Sequence, residues 1–112
     1  AVITGKAIGS AYVALAQADL TLAWPGAVVS AMPVSAAVAF LKGSEITSEH
    51  PREAVEAEYA ANEASAFAAA ENGLVQDVIA PADTREALIR ALDMLSSKRV
   101  SRLPKKHSNL PM

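Results

Sequence analysis

Ala1-Val-Ile-Thr-Gly-Lys-Ala-Ile-Gly-Ser-Ala-Tyr12 is the stretch on which the reading of this chain turns. Its first four residues are strand-like, Gly5 to Gly9 reads as a turn region, and Gly9-Ser10-Ala11 leads into an apolar run of helix formers. Small residues therefore fall where a buried strand passes into a helix. Such a junction leaves backbone N–H groups facing outward, with room for a ligand oxygen. Two readings stand at this point: tight helix–strand packing, or a pair of fixed donors for an oxyanion. A strand that begins at residue 1 with no turn before it leads to the expectation that the chain is cut from something larger.

Outward from this junction, Ser10–Ala18 predicts a short helix with Ser10 as its cap. Leu20–Trp24 predicts a strand stopped by Pro25-Gly26, and Val28–Met32 a second one. Pro33 suits the first turn of a helix over Val34–Leu41, which ends near Lys42-Gly43. Gly43–His50 is polar and reads as a loop. A longer helix starts around Pro51, with Ser48 or His50 as its cap and Gly73 as its stop. Val55, Tyr59, Ala66, Phe67 and Ala70 recur along it at helical spacing, and Glu53, Glu56 and Glu58 crowd its amino half, where the helix dipole favours them. Leu74–Ile79 predicts another strand, closed by Ala80-Pro81. The last helix opens on Asp83, with Glu86 three positions on as in a capping box. Its apolar face is Ala87, Leu88, Ala91, Leu92 and Leu95, and Lys98-Arg99 end it with the favoured charge. Residues 1–100 thus form one unit of α/β class, and 101–112 an irregular tail. No strand edge is blunted, so the sheet is expected to continue into sequence outside the chain.

At 112 residues the chain has the length of one domain. A hydrophobic share of 52% and a mean hydropathy of +0.22 argue against disorder. Much of that share is alanine and only 4% of residues are aromatic, so the core buries little area per residue. Such a chain is marginal alone and is expected to need partner surfaces, from the rest of its own chain or from another subunit. A net charge of −2 and a pI of about 5.6 give no reason to expect nucleic acid. The one basic cluster, Lys98-Arg99 to Lys105-Lys106, has no interleaved aromatics and reads as solvated. The absence of cysteine excludes disulfides, zinc thiolates and a cysteine nucleophile, and is compatible with a cytoplasmic location. The longest apolar stretch, Ala27–Leu41, is too short to span a bilayer and contains Pro33.

Side chains suited to catalysis are scarce. His50 and His107 have no Ser or Asp arrangement that points to a triad. Glu45, Glu49, Glu53, Glu56 and Glu58 lack metal-ligand company and read as a solvated face, so no metal is expected. There is no P-loop and no dinucleotide-type glycine fingerprint. Lys6 either attracts an anionic substrate or is simply solvated. Trp24 is either a buried anchor of the turn or an apolar wall of a ligand pocket. What remains is backbone chemistry: enolates and tetrahedral oxyanions need two N–H donors in fixed directions, and Gly9, Ser10 and Ala11 suit that need without an ionisable group.

Several motifs occur in order: Val2-Ile-Thr-Gly-Lys-Ala-Ile-Gly-Ser-Ala-Tyr12, Leu22-Ala-Trp-Pro25, Ala69-Ala-Glu-Asn-Gly-Leu-Val-Gln-Asp-Val-Ile79, Asp83-Thr-Arg85 and Lys105-Lys-His-Ser-Asn-Leu-Pro111. Over essentially its whole length the chain resembles the end of the carboxyltransferase (beta-type) subunit of biotin-dependent acyl-CoA carboxylases. It is also similar to the related alpha subunit of the sodium-pumping acyl-CoA decarboxylases. The resemblance implies a ClpP/crotonase-like fold of two homologous halves, of which this chain is the C-terminal part of the second. It implies carboxyl transfer between carboxybiotin and an acyl-CoA. The implied partners are a biotin carboxyl carrier protein, the missing amino half of the enzyme, and further copies of the subunit, a hexamer in relatives. The backbone N–H groups of Ser10 and Ala11 would match the second oxyanion hole, facing the ureido carbonyl of biotin, with Gly9, Ser10, Ala11 and Trp24 on the cofactor side. The chain alone is expected to be inactive.

The chain departs from the family pattern in three places. Ile8-Gly-Ser-Ala11 stands where Tyr-Gly-Gly-Ala is usual, Met32-Pro33 where a Met-Gly step is common, and Ser65-Ala-Phe67 where Asn-Pro-Tyr is common. Pro33 removes an N–H, and these changes leave the acyl-CoA unspecified. Two other classes remain open. One is a non-catalytic assembly module; the other is a crotonase-type acyl-CoA enzyme without biotin, against which Trp24-Pro25 and the closing motif speak by resemblance.

Overall fold

In the computed structural model, which describes residues 1–47 and 49–99, the opening run serves two sheets rather than one. Val2–Ile3 (β1) is followed, after a kink at Thr4-Gly5, by Lys6–Ile8 (β2). The stretch expected as a turn is thus itself a strand. Its exposed Lys6, buried Ala7 and half-buried Ile8 show the period-two alternation of a half-buried strand, too short to register beside two glycines. A second run does the same: Leu22–Ala23 (β3) pairs in parallel with β1, and Val28–Ser30 (β4) pairs in parallel with β2. Between them Pro25-Gly26 forms the expected turn. The crossing is sealed by backbone bonds from Trp24 N to the Ile3 carbonyl (2.9 Å) and from Val28 N to the Gly5 carbonyl (3.0 Å). Asp77–Val78 (β5) adds to β3, giving the order β1-β3-β5 beside the pair β2-β4. Parallel pairing of this kind requires helical crossovers, in keeping with the α/β class.

The helices depart from expectation where neighbours capture their backbone groups. Ser10 does not cap the first one; it is itself helical, and Tyr12–Ala16 is wound as a π-helix. Val34–Leu41 (α1) forms where expected, entered through extended Pro33, and Gly43–Glu45 makes one 3₁₀ turn. The long helix expected from Pro51 to Gly73 is two: Arg52–Asn62 (α2) and Ala66–Glu71 (α3). The break lies where β4 intervenes. Val29 N donates to the Ala64 carbonyl (2.9 Å), Ser65 bridges Val28, and the Ser65 hydroxyl accepts from Ala68 N (3.1 Å) to cap α3. Alanine runs through this region, so the sequence carries no sign of the interruption. His50 does not cap α2, and the alternative cap Ser48 lies outside the described residues. Gly73 ends α3 at a φ of +74° as expected.

The strand expected over Leu74–Ile79 shortens to β5 because Leu74 N and Val75 N still donate to the Ala69 carbonyl (2.8 and 3.3 Å). The last helix, Thr84–Leu95 (α4), is entered through a 3₁₀ turn, Pro81–Asp83. Asp83 already has helical backbone angles and makes no capping bond, and Glu86 pairs with Arg90 instead of closing a capping box. Beyond α4, Lys98 forms an ion pair with Asp19. The expected tail, with its Lys105, Lys106 and His107, lies outside the described residues.

Two small cores result, both rich in alanine. One gathers Ile3, Ala7, Ala16, Ala23, Ala27, Val29, Ala66, Ala69 and Val75 under the two sheets. The other joins α1 and α2 through Ala37, Val38, Val55, Tyr59 and Ala64. At its end Lys42 and Glu63 pair at 3.2 Å, and that bond holds the lysine above its ordinary value. Among the described residues no helix is long and apolar enough to cross a membrane.

Candidate functional site

The junction anticipated after the first strands is formed as a tight turn. At the end of β2, Gly9 N donates to the Ser30 carbonyl (2.8 Å), extending the β2–β4 ladder by one residue. Gly9 then turns the chain at a φ of +54°, and a Cβ there would stand 2.9 Å from the Ala31 carbonyl oxygen. Glycine is needed twice over, for the backbone angle and for the close approach of β4. The first helical bond that follows runs from Val13 N to the Gly9 carbonyl (3.3 Å). Ser10 and Ala11 lie in the first turn, where N–H groups precede any intrahelical acceptor, and both residues are exposed.

Two hollows flank this turn. A groove of about 320 Å³, with almost wholly apolar walls, is lined by Gly9, Tyr12, Val13, Val29, Ser30, Ala31 and Leu74. A smaller recess of about 150 Å³ is lined by Lys6, Ala11 and Leu15 among others. The structure therefore brings Gly9, Ser10 and Ala11 together, with Lys6 in a hollow shared with Ala11. Trp24 lines neither. It is half-buried at the end of β3, and its indole Nε1 donates to the Thr84 hydroxyl (2.9 Å), tying the turn to the start of α4. Pro33 stands at the entrance of α1, where the Ser30 hydroxyl donates to the Met32 carbonyl (2.8 Å).

Three residues to which sequence reasoning assigned no such role support the turn. The Tyr12 hydroxyl donates to the Leu74 carbonyl (2.7 Å). The buried Thr21 hydroxyl donates to the Ala16 carbonyl (2.7 Å). Thr21 N donates to Gln76 Oε1 (2.6 Å), and Gln76 N donates back to the Thr21 carbonyl (2.9 Å). A threonine between Leu20 and Leu22 in a buried strand was the available signal, since a buried hydroxyl needs an internal partner.

The remaining polar groups stay dispersed. His50 is exposed, its backbone N–H on the Thr47 hydroxyl (3.2 Å), and Glu56 pairs with Arg52 (2.7 Å). No group of three or more metal-ligating side chains occurs among the described residues. The chemistry on offer is that of backbone N–H groups in the first turn of a helix, on the exposed residues Ser10 and Ala11 that follow a glycine lining an apolar groove, an arrangement that suits a developing negative charge on oxygen.

Known proteins resemble this chain in sequence and fold. The carboxyl transferase domain family matches residues 1–110. Methylmalonyl-CoA decarboxylase subunit alpha of Veillonella parvula is 42% identical across 99% of the chain, and the mitochondrial propionyl-CoA carboxylase beta chain of Homo sapiens is 40% identical across 99%. The chain spans only 22% and 21% of those proteins. Among solved structures, the transcarboxylase 12S hexamer, with methylmalonyl-CoA and methylmalonic acid bound, superposes with a TM-score of 0.80 at 35% identity. That match covers 99% of this chain and 23% of the other. The fold is accordingly part of the crotonase-like carboxyltransferase architecture. On these grounds the chain belongs to the carboxyl transferase domain family.

Proposed function

We propose that this chain supplies the biotin-facing part of a carboxyltransferase that moves a carboxyl group between carboxybiotin and an acyl-CoA. The observation that carries the reading is the Gly9 turn, which presents the Ser10 and Ala11 N–H groups at an exposed helix start in a member of this family. The donor set fits the cofactor: two neutral N–H groups beside an apolar groove match a neutral ring with one carbonyl oxygen. Biotin, when bound, supplies the ureido nitrogen that carries the carboxyl group. Ser10 and Ala11 stabilise negative charge on the ureido oxygen, Gly9 keeps their amides aimed outward, and the groove wall excludes water. Lys6 adds a positive charge near Ala11 that favours an anionic ligand. Trp24 serves the cofactor side indirectly, by fixing the turn that follows β3 to α4.

In this reading residues 1–100 are the C-terminal part of the carboxyltransferase domain, and the expected tail, 101–112, lies outside the described residues. The acyl-CoA is held by the amino half of the enzyme, biotin arrives on a carrier protein or domain, and the subunit works as an oligomer like the transcarboxylase hexamer, in the cytoplasm. An NMR titration of the chain with biotin tests it. Shifts centred on Gly9–Tyr12 are expected, whereas shifts confined to other residues would overturn the assignment. Carboxyl transfer to free biotin by the chain alone is expected to be absent, and clear turnover would show that the acyl-CoA site lies within these residues.

A second reading, a non-catalytic assembly module, is favoured by the exposed apolar face of α4, where Ile89 and Leu92 are 58% and 68% exposed. No biotin-induced shift anywhere is its signature.

A further inference from the structure

The helical segment that follows the Gly9 turn is poorly equipped to hold its own orientation. It is short, and a π-helical winding over Tyr12–Ala16 is a geometry seldom stable without outside support. Val13, Ala14 and Leu15 are exposed, so packing grips it only through half-buried Tyr12 and buried Ala16. Those two residues are also where outside hydrogen bonds arrive. At the amino end the Tyr12 hydroxyl donates to the Leu74 carbonyl; at the carboxyl end the Ala16 carbonyl accepts from the Thr21 hydroxyl. Thr21 is in turn held to Gln76 through both of its backbone groups. Leu74 and Gln76 lie two positions apart on the segment that enters β5, and Leu74 N is itself bonded to Ala69 in α3. Both ends of the helical segment are therefore tied to one short, anchored stretch. Rotation or sliding of the segment would break the bond at one end.

We propose that Tyr12, Thr21 and Gln76 are positioning residues, a clamp from the Leu74–Gln76 segment that sets the direction of the Ser10 and Ala11 amides for carboxyl transfer. The proposal rests on the oxyanion reading given above. Oxyanion donors act only when held within a few tenths of an ångström of their acceptor, and a misplacement of about 1 Å costs on the order of a hundredfold in rate. Removing one end of the clamp leaves the donors in place but loosens their aim. The loss therefore falls on the chemical step and not on capture of the acyl-CoA, which is bound elsewhere.

The test uses the complete carboxyltransferase that carries this chain, assayed for kcat and for KM toward the acyl-CoA. Tyr12→Phe is expected to lower kcat by about tenfold with KM unchanged. Thr21→Val is expected to act in the same direction, and Thr21→Ser, which keeps the hydroxyl, to restore most of the rate. An amide-to-ester replacement at Ala11, removing one N–H without changing a side chain, reports on the oxyanion reading itself. Loss of rate in the ester variant with full kcat in Tyr12→Phe would overturn the clamp and leave the oxyanion reading standing. Full rate in the ester variant would overturn both. Should Thr21→Val fail to fold, Tyr12→Phe decides alone, because its acceptor at Leu74 is open to water. A Tyr12→Phe enzyme that melts earlier but keeps its kcat marks the bond as structural only, and also overturns the proposal.

Discussion

Gly9 shows how much a single residue decides here. Its positive φ and the Ala31 carbonyl 2.9 Å from any Cβ leave no side chain a place, and β4 cannot retreat without breaking the bond from Gly9 N to Ser30. Gly9→Ala is expected to destabilise the chain by about 2 kcal/mol in a urea titration, from a strained backbone angle and the displaced strand together. Gly26→Ala is the control. A Cβ there meets nothing within 4 Å, and the midpoint should move by less than about 0.5 kcal/mol. The importance of Gly9 was legible in the sequence as a glycine between strand and helix. Its crowding by Ala31 was not, because that contact is set by a strand twenty residues away in pairing register Ile8 to Ser30.

Among the elements, the α2–α3 break and the α1–α2 contact are the most testable. Ser65→Ala removes the hydroxyl that caps α3 and is expected to cost about 1 kcal/mol, with faster amide exchange at Ala68. The Lys42–Glu63 pair joins the carboxyl ends of α1 and α2 and raises the lysine above its ordinary value of 10.5, chiefly through the side-chain hydrogen bond to Glu63. The folded value then exceeds the unfolded one. The contribution is fully present below the unfolded value and is lost as pH rises through the folded one. Thermal midpoints of the wild type and Glu63→Gln should therefore differ near neutrality and converge in alkali above the ordinary lysine range. A gap that persists there would assign the effect to packing rather than charge. The pair is partly exposed, so the difference is expected to be small. Helix α1 could be read from Pro33 and its apolar run. The α2–α3 break could not, since helix periodicity continues through it and only the backbone of β4 interrupts.

For the molecule as a whole, the exposed apolar surface is the dominant feature. Leu15 and Phe40 are 81% and 79% exposed, and the expected apolar face of α4 is split. Ala91 is buried, whereas Leu88, Ile89 and Leu92 are exposed to different degrees and line an open groove with Arg85. Two small cores with many alanines bury little area, and large side chains on the outside are those a partner surface would cover. Replacing Leu88 and Leu92 together by Gln is expected to reduce self-association in sedimentation velocity while leaving the denaturation midpoint within about 0.5 kcal/mol, because neither side chain supports the chain's own core. A large loss of stability would instead place these residues in the fold.

By itself the sequence determined the α/β class, the glycine turn with Ser10 and Ala11 behind it, the helix at Val34–Leu41 and the poverty of ionisable catalytic groups. These follow from local backbone preference and composition, which the residues carry wherever they sit. Tertiary structure alone decided that the opening run splits between two sheets, that alanine-rich 51–73 is two helices, that Trp24 anchors α4, and that Tyr12, Thr21 and Gln76 brace the turn. Each of these depends on hydrogen-bond partners distant in sequence, whose capture of a backbone group outweighs local propensity and leaves no periodic trace. The same physics sharpens the opening segment. In the proposed reading its donors are supplied locally by the glycine turn, and their direction is set by the segment that enters β5.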